Sequence, residues 1–392
     1  MSKLSPRLLL VFTSLAHTFS HLLMLLYPTV VLVMGDVYQL DYDQLIALAL
    51  PGFILFGAGA LPAGWLADRW SSRGMMAIFF LGTGAGTVFA GCSRTPFELS
   101  VGLALIGLFA SIYHPVGIAW LVGNAVNPGR ALGINGVFGS IGTASGALVA
   151  GGLADMMGWR AAFVIPGVFC VIAGVMFLLL YRGASDTHSH AKLHRVEHVT
   201  GNGLRRALML MAFTTVMIGL IYQSATVGLP KLLTEKFPEL DTDMFGVGLL
   251  VGVIFIVSGV TQVLGGELAD RFQLKSIYVF GLLAGVPFSL FAYVAGQYWF
   301  VVAMAAVMGM QTIVMPAENS LLASYTPSEW RARVFGAKFV LTLGVSSLGV
   351  ALIPFLHNIT GTLNTLPFLI CIMALAGGLV ACRLPQQNLR GR

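Results

Sequence analysis

Charge is what this sequence has least of. Aspartate, glutamate, lysine and arginine make up 10% of its 392 residues, whereas a soluble domain carries about a quarter. With 57% of the chain hydrophobic, water cannot be the solvent for most of the folded surface. Cysteine is scarce as well. Cys92, Cys170, Cys371 and Cys382 lie in or at the ends of apolar segments, with neither zinc spacing nor a disulfide framework, and read as packed thiols. A Walker-type phosphate loop, a nucleophile elbow and an HExxH motif are all missing. No cofactor is expected, an enzyme is not, and ATP is excluded as the direct source of energy. The first apolar run is too long for a cleavable signal peptide and lacks a small-residue cleavage site.

What the chain has in abundance is apolar helix. A bilayer span needs roughly 20 apolar residues, and helices are expected at 8–34, 44–67, 74–92, 97–121, 131–155, 161–181, 206–230, 245–269, 275–295, 298–324, 333–357 and 364–383. The 47 glycines sit inside these runs, where small residues let membrane helices approach closely. Helix five carries a stripe of them at Gly133, Gly136, Gly139, Gly142, Gly146 and Gly151. The longest polar interval, 182–205, is the expected linker between residues 1–181 and 206–392. With both termini in the cytoplasm, Arg69, Arg73, Arg130, Arg205, Arg206, Arg271, Lys275, Arg331, Arg333 and most other basic residues fall inside. Arg94, Arg160, Lys231 and Lys236 fall outside, and Lys338 lies within a span. That bias is the positive-inside pattern and suits a bacterial-type inner membrane. The net charge of +6 is thus a topology signal and not a nucleic-acid footprint.

Two charged loops interrupt the apolar runs in the same way. Gly64-Trp65-Leu66-Ala67-Asp68-Arg69, closing with Arg73, returns about half a chain later as Gly266-Glu267-Leu268-Ala269-Asp270-Arg271, closing with Lys275. Tyr113-His114-Pro115 aligns with Val314-Met315-Pro316 at nearly the same offset, and Arg130–Gly133 aligns with Arg333–Gly336. Two six-helix halves in one orientation require a parallel repeat about the membrane normal. Asp68 and Asp270 stand at helix ends, where a carboxylate can pair with Arg69, Arg73, Arg271 or Lys275 or face a neighbouring helix N-terminus. Contacts of that kind can break when two halves separate, which makes the loops a candidate latch.

The twelve spans, the central linker and the two loops resemble the major facilitator superfamily, and Gly64–Arg73 is close to that family's G-x3-D-R-x-x-x-R signature. Helix one, with His17, His21 and Pro28, and the Tyr113-His114-Pro115 turn are most similar to the fosmidomycin-resistance-type efflux branch. The chain departs from that branch at Val116-Gly117 and Leu22-Leu23, where the branch carries polar residues. Helix five also lacks the central Gly-Pro of the family's antiporter signature. The resemblance implies an all-α fold of two pseudo-symmetric six-helix bundles, a monomer, and a cavity lined by helices one, four, seven and ten. It therefore gathers His17, His21, His114 and Glu318 around one space.

The residues themselves suggest chemistry. Glu318 lies inside helix ten, and an acid within a membrane span is a functional candidate by default. Lys338 lies at similar depth in helix eleven. A buried carboxylate is favoured in its neutral form, while a nearby ammonium favours the ionised form, so separating the pair could load and release a proton. A fixed salt bridge between the two helices is the alternative. His17 and His21 share a helix face, and histidine can relay protons or bind anions; satisfied interior imidazoles are the plainer reading. Two histidines with Glu318 could ligate a divalent ion, but no Cys or Met cluster supports this and no metal is expected. His188, His190, His194 and His198 read as part of a solvated linker. Tyr222, Gln223, Ser224 and Asn319, with Tyr27 and Pro28, offer hydrogen bonds to an organic solute or between helices.

The expectation is a secondary transporter that moves a small amphiphilic or anionic organic solute by alternating access, coupled to protons, in the direction of export. Proton symport or facilitated uptake is the alternative, and a non-transporting sensor or membrane enzyme the reading of another class. A sensor would want a large soluble output domain and an enzyme a nucleophile–base pair; neither is visible.

Overall fold

The computed structural model describes residues 6–181, 202–327 and 330–386, and all regular structure among them is helical. Ten helices are long and apolar enough to cross a membrane. In chain order these are α1 (Arg7–Val33), α3 (Ser72–Cys92), α4 (Pro96–Asn124), α5 (Arg130–Met157), α6 (Trp159–Leu180), α7 (Gly203–Lys236), α8 (Met244–Arg271), α9 (Leu274–Val294), α10 (Gln297–Tyr325) and α11 (Val334–Thr360). A pair bent by 40°, Tyr42–Ala58 and Ala60–Arg69, forms α2, and the shorter apolar helix Leu366–Ala381 forms α12. The expected twelve rods are therefore present.

Helix ends follow local chemistry. Ser71 accepts from the Gly74 amide at the start of α3. Thr95 accepts from the Glu98 amide while the Glu98 carboxylate accepts from the Arg94 amide, a reciprocal cap on α4. Asp243 caps α8 through the Gly246 amide. Two expected boundaries move. Helix seven does not stop at Pro230 but runs on to Lys236 with the proline inside it, as membrane helices allow when neighbours satisfy the freed carbonyl. Residues 202–205 of the expected linker are the first turn of that same helix. The remainder, 182–201 with His188, His190, His194 and His198, lies outside the described residues.

Helix pairing repeats with the sequence. The packed pairs α1–α5, α2–α4, α3–α4 and α3–α6 recur as α7–α11, α8–α10, α9–α10 and α9–α12. The pairs that join the two halves, α2–α11 and α5–α8, exchange under the same correspondence. Glycine makes the close crossings possible. A Cβ on Gly107 of α4 would fall onto the Gly52 carbonyl of α2, and one on Gly142 of α5 onto the Thr18 carbonyl of α1. The stripe in α5 serves two partners: its middle admits α1, and Gly151 at its far end meets the Met244 backbone of α8.

That far end of the bundle is sealed. The Asp43 carboxylate accepts from Asn358 at 3.2 Å and lies 4.0 Å from the His357 ring. Lys231 sits 5.4 Å from the Tyr42 ring, and Asp155 accepts from the Phe245 amide at 2.7 Å. At the end carrying the charged loops, α5 and α8 diverge: a Cβ at Gly133, Gly136 or Gly266 would meet nothing within 4 Å. Substituting alanine at Gly107 should cost about 1–3 kcal/mol through overpacking and lower the heat-unfolding midpoint in detergent by several degrees. Alanine at Gly133 should leave that midpoint unchanged; equal effects at the two sites would remove close approach as the reason for the glycines.

Candidate functional site

A cavity of about 300 Å³ lies between α1, α2, α4, α5, α7, α8, α10 and α11. His17, His21, His114, Tyr222, Gln223, Glu318, Asn319 and Lys338 all line it. Tyr27 does not. It is 1% exposed, and its hydroxyl donates to the Leu45 carbonyl at 2.6 Å, so it ties α1 to α2 rather than facing a solute. Ser224 likewise returns its hydroxyl to the Leu220 carbonyl of its own helix.

One wall is built around an ion pair. Lys338 Nζ lies 2.6 Å from Glu318 Oε2, with the two side chains 12% and 3% exposed. Thr215 of α7 donates to the other carboxylate oxygen at 2.6 Å, and Lys338 also donates to Asn319 Oδ1 at 2.6 Å. Three helices thus converge on one carboxylate, and both of its oxygens are engaged, as a buried charge requires.

The facing wall is built from histidines. His17 Nδ1 lies 2.9 Å from the Asn135 carbonyl and 3.0 Å from Asn135 Oδ1. A carbonyl only accepts, so Nδ1 carries the hydrogen. In the neutral ring Nε2 is then an acceptor, and it lies 3.2 Å from His21 Nε2, which must donate. The Tyr113 hydroxyl donates to Asn135 Oδ1 at 2.7 Å, and its ring stacks on His17 at 4.8 Å. A Cβ on Gly139 would occupy the His17 ring position, so that glycine makes room for the imidazole. His114 arrives by a different route. Pro115 lacks an N–H, and residues Tyr113–Gly117 form one wide π-type turn, a local widening that recurs at functional sites. The turn brings the His114 ring centroid to 5.4 Å from His21 and 5.5 Å from His17.

Asn135 and Thr215 escaped the sequence reading. Asn135 was visible as a lone amide in the apolar run of helix five. Thr215 was not, because a threonine in a helix most often bonds its own backbone, and here it reaches across to α10.

Outside the bundle, a groove of about 770 Å³ runs between α5 and α8. Its lining is almost wholly apolar, with Val137, Ile141, Val253 and Ile256 exposed. Gly136, Ser140, Gly259 and Gln262 line both groove and cavity, so the two share a wall.

The charged loops stand apart from the cavity, save that Gly266 and Glu267 line the groove. Gly64 lies against Pro115. Arg69 stacks over Trp65 at 4.4 Å, and Arg73 lies 5.8 Å from the Tyr181 ring. Asp68 and Asp270 are exposed; Arg271 pairs with Glu267 at 3.9 Å, and Lys275 donates to the Leu384 carbonyl. Among the described residues no ion pair joins Asp68 to Arg69 or Arg73.

Known proteins share this architecture. At 14% identity, a bacterial homologue of the human lysosomal transporter Spinster, solved inward-facing and occupied, superposes with a TM-score of 0.79 over 99% of this chain and 100% of its own. A D-xylose–proton symporter gives 0.76 at 14% identity over 96% and 98%. Multidrug resistance protein MdtG of Escherichia coli is 29% identical over 240 residues, 59% of this chain and 58% of that protein. The protein of that name in Escherichia fergusonii is 27% identical over 72% and 70%. The chain thus spans less than two thirds of the Escherichia coli relative. The sequence model of the Major Facilitator Superfamily matches residues 10–238 and again 207–389. With a doubled helix pattern, a cavity between the halves and a family match over almost its whole length, the chain is a multi-pass membrane protein belonging to the Major Facilitator Superfamily.

Proposed function

We propose that the protein exports a small amphiphilic organic solute in exchange for protons, by alternating access of residues 1–181 against 206–392. The carrying observation is the Glu318–Lys338 pair in the wall of a cavity sealed at one end. The charged-loop end is assigned to the cytoplasm by its basic residues, which makes the present form inward-facing. The duplicated charged loops at Asp68 and Asp270, both exposed at that end, are read as a latch between the halves.

The pair also sets the sign of coupling. A solute that offers a cation or a hydrogen-bond donor to Glu318 competes with the proton for the same carboxylate, and competition at one site is exchange. A solute anion held by Lys338 needs Glu318 protonated, so anion and proton load together, and that is symport. The apolar groove sharing a wall with the cavity favours the first case, since it offers an amphiphile in the bilayer an apolar seat beside the site. The name of the MdtG relatives, multidrug resistance protein, points the same way. Symport of an organic anion is the second reading, and the ammonium of Lys338 is what favours it. The cavity is complete within one chain, which supports a monomer.

Proteoliposomes carrying a trapped pH dye should report proton release when ethidium, an amphiphilic cation, is added outside. Glu318→Gln should cut that signal by roughly tenfold or more, on the scale of a lost proton-transfer group. Proton and dye moving in the same direction, or an unchanged signal after the substitution, would sink the exchange reading.

The pair makes a stability prediction too. Removing one partner of a buried pair costs about 3–5 kcal/mol because the other charge stays behind. Lys338→Met should therefore lower the unfolding midpoint more than the double variant Glu318→Gln/Lys338→Met does. A double variant at least as unstable as the single one would mean that the carboxylate is not held charged by Lys338.

A further inference from the structure

We infer that His17, His21 and His114 form a binding site for one divalent transition-metal ion of the zinc class. Each ring offers one nitrogen, and the three lie within 4.8 Å of one another. In a tetrahedral site with zinc–nitrogen bonds of about 2.0–2.1 Å, ligand nitrogens stand about 3.3 Å apart. His17 Nε2 and His21 Nε2 already sit at 3.2 Å, one helical turn apart on α1. Turning the His114 ring within the wide turn closes the third side.

Three further features mark a prepared site. Ligating histidines almost always hold their other ring N–H on a carbonyl or carboxylate, and His17 Nδ1 does so on both oxygens of Asn135, itself held by Tyr113. The hydrogen-bond pattern leaves the His17 Nε2 lone pair pointing at the other rings, and His21 joins it as a ligand once its proton moves from Nε2 to Nδ1. His114 Nδ1 is buried and makes no hydrogen bond, a costly state for a polar atom that ligation would relieve. All three rings line the cavity, so a fourth coordination position opens into it.

The ligand class follows from charge. Neutral imidazoles suit zinc, copper and nickel and not the hard ions magnesium and calcium. No carboxylate belongs to the cluster, and Glu318 is already neutralised by Lys338. A dication here keeps its charge unless its fourth ligand is an anion. The site therefore takes a metal ion together with an anionic donor, such as a chelating organic carboxylate. The metal expected least from the sequence gains its third ligand from His114 and not from Glu318. This inference stands apart from the export reading, because binding can be read without transport.

The test uses the full chain in detergent, free of any histidine tag, with His188, His190, His194 and His198 replaced by glutamine so that the linker contributes nothing. Calorimetric titration with zinc chloride should show one ion per chain, unaffected by excess magnesium. Cobalt(II) in its place should give the intense visible absorption of a tetrahedral nitrogen site. His21→Ala and His114→Ala should abolish one-to-one binding, and Asn135→Ala should weaken it roughly 10–100-fold, as loss of an orienting partner does. His114→Gln replaces the alanine variant if the latter elutes as aggregate. No stoichiometric binding to the linker-substituted protein overturns the inference, as does binding unaltered by the His114 substitutions.

Discussion

Glu318 and Lys338 meet at 2.6 Å among helices that otherwise offer lipid and apolar side chains. The surroundings are arranged around that fact. Neither charge can be left alone without a penalty of several kcal/mol, so α7 contributes Thr215 and α10 contributes Asn319 to complete the hydrogen bonding. Anything that enters the cavity and interacts with one member must answer for the other. A static bridge would need only the two partners. A pair whose members each hold a second, neutral partner has an alternative arrangement at hand when a proton or a solute takes one of them.

The same economy governs the backbone. Crossings that must stay tight are glycine against carbonyl, as at Gly107 with Gly52 and Gly151 with Met244. Glycines of the same stripe at which a Cβ would meet nothing, Gly133 and Gly136, mark where α5 stands apart from α8. One helix thus carries both the hinge side and the open side of the gap. Its small residues are a made interface at one end and uncovered at the other, which suits the alternating access proposed above.

Much of the architecture was legible because lipid enforces simple rules. Span lengths, the repeated loops and the pairing of Glu318 with Lys338 follow from hydropathy and from the cost of lone charge, and those residues do meet. Tyr27 stays open between its two readings in sequence, because a tyrosine beside a proline in helix one reads alike whether it faces a cavity or a neighbouring carbonyl. The fold settles it as the bond between helices. The end of helix seven is not legible at Pro230, because a proline that stops a helix in water is carried inside a membrane helix whose neighbours satisfy the freed carbonyl. The trio of rings depends on one wide turn at Pro115 and on the space left by Gly139, and neither can be deduced from spacing. Spacing alone places two histidines on one face; the family resemblance adds His114, and the fold supplies the ring-to-ring distances.

The two clusters belong to opposite walls. The imidazoles hang from α1 and α4, and the carboxylate from α10 with its partners on α7 and α11. Under the export proposed above, an amphiphile small enough for about 300 Å³ that carries polar groups at two points can touch both walls only when the halves are near each other. Alternating access as proposed would make binding of such a solute greatest in a closed cavity, because opening either end would separate the two sets of partners. A solute that reaches one wall alone gains nothing from closure, and a ligand equally bound in two states shifts neither. Under the proposed exchange, selectivity would then be a matter of span, favouring a solute that bridges a histidine and the Glu318 group at once.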